Sequence, residues 1–199
     1  MDDISNDVKD YRKPKYDINP VFVNRWSKRS MTGEALPKDD IMSLFDAARW
    51  APSSYNNQPW RFIYALKDTS EWDELFDLMI DFNKSWAKNA SALIVIISKK
   101  YFDYNGKYSQ THAFDTGAAW MSLALQGSMK GLVVHGMQGF DYDKAKDILD
   151  IPDDHEVLAM AAVGYPAPKD ALPEDLRKSE EPSSRKDFSE FVFEGKFSK

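Results

Sequence analysis

The sequence is 199 residues long, which suits one hydrophobic core and leaves too little chain for two independent domains. Hydrophobic residues make up 43% and charged residues 29%, which excludes disorder over most of the length, and 32 acids against 26 Lys and Arg give a net charge of -6 that repels nucleic acid. Cysteine is absent, which excludes disulfides, thiolate nucleophiles and cysteine-ligated metals and agrees with a reducing, cytoplasmic setting.

Residues 1–22 are charged, interrupted by Pro14 and Pro20, and without an apolar stretch for a signal peptide. They read as an N-terminal arm that wraps a partner or stays loose. Ile41, Leu44, Phe45 and Ala48 fall on one helical face, with Asp39 and Asp40 in the first turn and Pro52 beyond the end, so a helix is predicted from Lys38. Residues 62–66 predict a short strand, and Trp72, Leu75, Phe76, Met79 and Ile80 mark a second helix. Residues 92–97 are apolar and β-branched, which predicts a buried strand. This longest apolar run is far too short to span a bilayer, and no membrane association is expected.

The longest helical pattern runs over 110–130 and ends at Gly131, a C′ glycine by position. Its small residues Gly117, Ala118 and Ala119 allow close approach of a backbone or a flat ligand, and serve core packing equally well. A strand at 132–135, a short helix over 141–149 capped by Asp141, and a buried strand at 156–164 follow. From 166 to 199 proline and charge surround an apolar piece at 188–193, a C-terminal arm that needs another surface to cover it. Taken alone, the alternation of helices and strands points to a parallel α/β sheet in a single domain over 1–199.

Common signatures are missing. There is no G-x-G-x-x-G, G-x-x-x-x-G-K-[ST] or G-x-S-x-G, and Gly136 and Gly139 make only a two-glycine fragment. His112, His135 and His155 lie too far apart for H-x-x-x-H, so each reads as structural or surface and no metal site is expected. No carboxylate pair stands out by spacing, which lowers hydrolases.

Two stretches remain. Residues 24–30, Asn-Arg-Trp-Ser-Lys-Arg-Ser, carry three positive charges and no negative one in an acidic chain. Extended, they place Arg25, Ser27 and Arg29 on one side, an arrangement that suits a phosphomonoester, although a short basic run is also what a solvated surface looks like. Residues 52–60 bracket hydroxyls and carboxamides between prolines with no charge. Carboxamides match the alternating donors and acceptors of a flavin pyrimidine edge, and they equally suit a turn-rich loop. The six Trp, nine Tyr and twelve Phe line a planar-ligand pocket or fill a core.

The order of residues adds what their type leaves open. Residues 47–62, A-A-R-W-A-P-S-S-Y-N-N-Q-P-W-R-F, resemble the motif of the nitroreductase superfamily, and Arg25-x-Ser27-x-Arg29 resembles that family's FMN-phosphate motif at the expected distance. Asp115-Thr116-Gly117-Ala118-Ala119, residues 136–141, residues 162–166 and Ser184-Arg185-Lys186 extend the resemblance over roughly 20–195.

The resemblance implies an α+β fold with an antiparallel-dominated sheet flanked by helices, and a homodimer with exchanged terminal arms and active sites at the subunit interface. It implies that Arg25, Ser27 and Arg185 hold the FMN phosphate and ribityl chain, with Arg29 at the phosphate or the N1/O2 edge, where a cation tunes the ring toward two-electron transfer. Pro52, Ser53, Ser54 and Asn56 would approach the flavin of the other subunit. Asn83 matches a flavin-edge asparagine, and Gln138 and Gly139 would present backbone N–H groups near N5. Relatives carry Glu at the position of Gln138, so only its backbone role transfers. Others carry Lys where Ser183 stands, which leaves Arg185 with more of the phosphate charge.

The activity so implied is ping-pong hydride transfer from NADH or NADPH through FMN to a small acceptor such as a nitroaromatic or quinone, with no side-chain nucleophile. A flavin-binding protein without turnover is one alternative, and a dehalogenase-like or flavin-consuming relative is another. For the latter, residues 101–112 form a candidate aromatic lid.

Overall fold

The computed structural model describes residues 3–197; residues 1–2 and 198–199, at the tips of the two expected arms, lie outside the described residues. Four strands, β1 Trp60–Leu66, β2 Ala92–Lys99, β3 Val133–Met137 and β4 His155–Gly164, form one sheet in the order β1-β2-β4-β3. Every neighbouring pair is antiparallel, which corrects the parallel sheet read from alternation and agrees with the α+β class. Alternation gives the order of elements along the chain and says nothing of strand direction. β3 and β4 are separated by α6 Tyr142–Ile148 and still pair antiparallel, side by side.

The helices in front of α6 are α1 Val21–Asn24, α2 Lys38–Arg49, α3 Ser70–Phe76, α4 Asp81–Ala87 and α5 His112–Met129, and α7 Glu174–Arg177 follows β4. β2 is buried on both faces because its neighbours on either side are strands and both faces carry helices. Successive side chains alternate. Leu93, Val95 and Ile97 join Leu75, Trp86 and Met160 in one cluster, and Ala92, Ile94 and Ile96 join Ile41, Leu44 and Leu123 in the other. Each buried aliphatic side chain contributes about 1.5–3 kcal/mol, so the two clusters fix the three-layer arrangement.

The long helix ends as its glycine predicts. Gly131 has φ +74°, the Leu132 N–H donates to the Gly127 carbonyl (2.8 Å) and the Gly131 N–H to that of Ser128 (3.0 Å), a pair of bonds that closes the last turn. Asp141 caps α6 by accepting the Lys144 N–H (2.9 Å).

The second predicted helix is shorter than its apolar spacing. α3 stops at Phe76, and Met79 bridges to Phe140. The Ile80 N–H donates to the Gly139 carbonyl (3.2 Å) and the Asp141 N–H to that of Leu78 (2.9 Å). Leu78 is therefore buried in the turn that ends α3 and Met79 at the bridge that follows it, where helical spacing is coincidental. α4 follows and was not predicted, because its buried residues Asn83, Trp86 and Ala87 make too short a stripe.

Part of the N-terminal arm folds back in turns on its own chain. Val8 is fully buried, and the Ser5 N–H donates to Asn24 Oδ1 (2.9 Å). In the C-terminal arm Leu172, Leu176 and Glu180 are buried, whereas Phe188, Phe191 and Val192 stay exposed.

Candidate functional site

The backbone leaves α1 at Arg25 in an extended conformation, φ -67° and ψ 118°, and runs irregularly to Ser30. Arg25, Ser27 and Arg29 line a cavity of about 250 Å³ together with Arg185, Arg12 and His135. Residues separated by more than 150 positions thus meet at one place. The Nε atoms of Arg25 and Arg29 are buried without a hydrogen-bond partner. Burial, then the charge of Arg185, push the Arg25 guanidinium below its ordinary pKa range. The arginine charges repel one another, offset in part by Glu181 on the cavity wall and by Glu180, 3.9 Å from Arg29, and an anion here would relieve the remaining repulsion and satisfy the unpaired Nε atoms. Arg185 Nη1 is held by the Ser183 and Ser184 carbonyls (3.2 and 2.9 Å) and by Ser183 Oγ (2.9 Å).

His135 stays neutral there. Its pKa falls to about 4, chiefly through burial, with the Arg29 and Arg25 charges adding. Its Nδ1 stands 2.8 Å from the Lys28 carbonyl, which can only accept, so Nδ1 carries the proton. Glu180, buried on the C-terminal arm, accepts the backbone N–H groups of Arg29 (2.7 Å) and Ser30 (3.0 Å) through Oε1.

The second group centres on α4. Asn83 is buried and its Nδ2 donates to the Gly139 carbonyl (2.9 Å). A Cβ at Gly139 would stand 2.7 Å from Ile80 Cδ1 and 2.8 Å from Asn83 Nδ2, so a larger residue here would have to displace both side chains. Gln138 is exposed, and its carbonyl accepts the Phe140 N–H (3.0 Å). Arg29 lies 5.9 Å from the Phe82 ring centroid, which joins α4 to the arginine cavity.

None of residues 52–58 of the amide loop lines the arginine cavity. Pro52 and Asn56 are exposed. Ser53 Oγ accepts the Gln58 N–H (3.0 Å), and the Ser54 N–H donates to Asp115 Oδ2 (3.0 Å), a buried carboxylate on α5. Tyr55, Asn56 and Gln58 have φ +52°, +52° and +49°, left-handed positions without glycine on either side of a right-handed Asn57. Such backbone costs about 1 kcal/mol or more at a bulky residue such as Tyr55. Tyr55 is 78% exposed and makes ring contacts with Phe102 and Tyr104, while the Asp103 N–H donates to Asn57 Oδ1 (3.0 Å). The candidate lid is thus a turn closed by a Tyr101–Tyr108 bridge beside the amide loop.

Sequence reasoning passed over Arg12, Glu180 and the specific tasks of Asp115 and His135. Asp115 had a signal, since it opens a stretch matching the family. The others sit in ordinary charged or apolar surroundings.

A model described as the nitroreductase family matches residues 23–85 and 69–165. The chain belongs to the nitroreductase family. Among solved structures, an oxidoreductase containing FMN is 43% identical to it, with a TM-score of 0.90 over 94% of this chain and 96% of the other. An NADH dehydrogenase of Thermus thermophilus is 25% identical over 77% of this chain and 89% of its own length. An oxygen-insensitive NADPH nitroreductase of Helicobacter acinonychis is 36% identical over 75 residues, 36% of this chain and 34% of its own length, so the chain spans about a third of that relative. The antiparallel sheet between helical layers is the nitroreductase fold. No helix among the described residues is long and apolar enough to cross a membrane.

Proposed function

We propose that this nitroreductase-family chain is an FMN-dependent oxidoreductase that takes hydride from NADH or NADPH and delivers it to a small acceptor such as a nitroaromatic or quinone. The observation that carries this reading is the arginine cavity, where four arginines face one carboxylate, Glu181, and the buried Nε atoms of Arg25 and Arg29 lack hydrogen-bond partners. That donor set fits the phosphate of FMN. Arg25, Ser27, Arg29 and Arg185 would hold this phosphate. Support for the cofactor also comes from the similar oxidoreductase that contains FMN, and support for the donor from the names of the two curated relatives.

Bound FMN would supply hydride acceptance and release at N5. The chain's own groups bind, orient and exclude water. Asn83, fixed by the Gly139 carbonyl, and the backbone at Gln138 and Gly139 form the edge toward which the ring would extend from the cavity. Pro52, Ser53, Ser54 and Asn56 would serve the flavin of a second subunit. In favour of this homodimeric arrangement, the loop does not line its own chain's cavity, and Trp50 at 77% and Tyr55 at 78% exposed leave large apolar surface to solvent.

Spectroscopy tests this directly. The purified protein, loaded with FMN, is expected to lose its visible flavin absorbance under anaerobic NADH or NADPH and to regain it on adding a quinone or nitroaromatic. Flavin bands that neither nicotinamide bleaches would refute the oxidoreductase reading, and a chain that takes up no FMN would refute the cofactor assignment.

A further inference from the structure

Arg12 belongs to none of the motifs that point to flavin, yet it is the side chain that joins the cavity's walls. It is buried, and its guanidinium makes three bonds. Nε donates to the Ser183 carbonyl (2.9 Å), and Nη1 donates to the carbonyls of Val23 (2.9 Å) and Arg25 (2.8 Å). Among the described residues no carboxylate pairs with it. Carbonyls hold a guanidinium without cancelling its charge, so the cation remains beside the cavity it lines. Burial lowers its pKa to about 10, and the nearby Arg185 and Arg25 charges act in the same sense. Side-by-side burial of these guanidinium groups carries a desolvation and repulsion cost that an anion in the cavity would offset.

The geometry also divides labour between the two arms. Arg12 grips the start of the 25–30 segment from the N-terminal side of the chain, and Glu180 grips its end through the Arg29 and Ser30 N–H groups. The Arg12 fork ties the start of this segment to Ser183, two residues before Arg185, while Glu180 ties its end to the same arm. A planar fork fixes both the separation and the angle of the two segments, which a flexible ammonium cannot do.

We infer that Arg12 is a positioning residue for phosphomonoester recognition, its fork holding the Arg25 and Arg185 segments at the spacing that admits a phosphate and so separates FMN from riboflavin. The inference rests on the flavin reading above. It is tested by titrating the flavin-free full-length chain with FMN and, separately, with riboflavin, following the quenching of flavin fluorescence. Arg12→Met is expected to weaken FMN binding by about 50-fold and riboflavin binding by no more than about twofold, because only the phosphate depends on the fork. Arg12→Lys keeps the charge without the fork and is expected to remain at least about 20-fold weak for FMN. Full recovery by lysine would overturn the positioning role in favour of charge alone. Equal losses for FMN and riboflavin would overturn it in favour of general damage to the fold. A wild-type chain that binds neither flavin removes the flavin reading itself, an outcome distinct from wild-type binding with indifferent variants, which removes only the role of Arg12.

Discussion

Residues 25–30 and residues 52–58 are both irregular segments entered from a helix, and they differ in what each leaves unsatisfied. Along 25–30 the backbone is secured at both ends, by Arg12 on the Arg25 carbonyl and by Glu180 on the Arg29 and Ser30 N–H groups, while two guanidinium Nε atoms stay buried and unpaired. Along 52–58 the polar groups of Ser53, Ser54, Asn57 and Gln58 find partners, while the backbone bears left-handed strain and Tyr55 faces solvent. The first segment offers unpaired donors to an anion. The second offers an exposed aromatic side chain to another surface. The contrast explains why a cofactor phosphate is assigned to one and a second subunit to the other.

The largest effect that can break this contrast comes from the cavity itself. Replacing Arg25 and Arg185 together with alanine is expected to lower FMN affinity by about 1,000-fold or more and to yield colourless protein on purification. Stoichiometric flavin in the purified double variant would move the receptor elsewhere. Next in size is the response to acid. The His135 pKa is depressed from 6.5 to about 4, so the unfolded chain binds this proton more readily than the folded one. The associated stability, up to about 3 kcal/mol, is complete above pH 6.5 and is lost as pH falls through about 4. Urea midpoints measured from pH 7 to pH 4 should fall for the flavin-free wild type and flatten for His135→Gln; parallel curves would place the acid-sensitive group outside the cavity. The smallest effect probes the loop. Asp115→Ala removes the acceptor of the Ser54 N–H and should cost about 1–2 kcal/mol while slowing acceptor reduction with flavin still bound. Flavin loss from this variant, as complete as from the arginine pair, would erase the distinction between the two segments.

The legible parts of the sequence were those whose information is local. Gly131 needs a left-handed backbone, Asp141 caps the helix that follows it, and the 92–97 run is buried whichever way its neighbours point. The family could be read from the order of residues in 47–62 and 25–29, which physical reading of residue types alone left open between site and surface. Strand direction was not legible, because helices connect antiparallel strands here as readily as parallel ones do elsewhere. α4 escaped because Asn83, Trp86 and Ala87 form too narrow a stripe, and the 72–80 helix was overextended because Leu78 and Met79 are buried by pairing with 139–141. Arg12 and Glu180 were invisible for a different reason. Their partners lie at a great distance along the chain, and a lone arginine or glutamate in a charged stretch looks the same whether it is solvated or buried.

The bond from Arg12 to Ser183 spans 171 residues, and the bonds from Glu180 to Arg29 and Ser30 span 151 and 150. Contacts of such separation carry the highest closure entropy and form late, after local turns and neighbouring strands have shortened the effective loop. Because these bonds hold the cavity's walls together, a chain that has collapsed and acquired its sheet has still to assemble this cavity, whose shape is then among the last features to form.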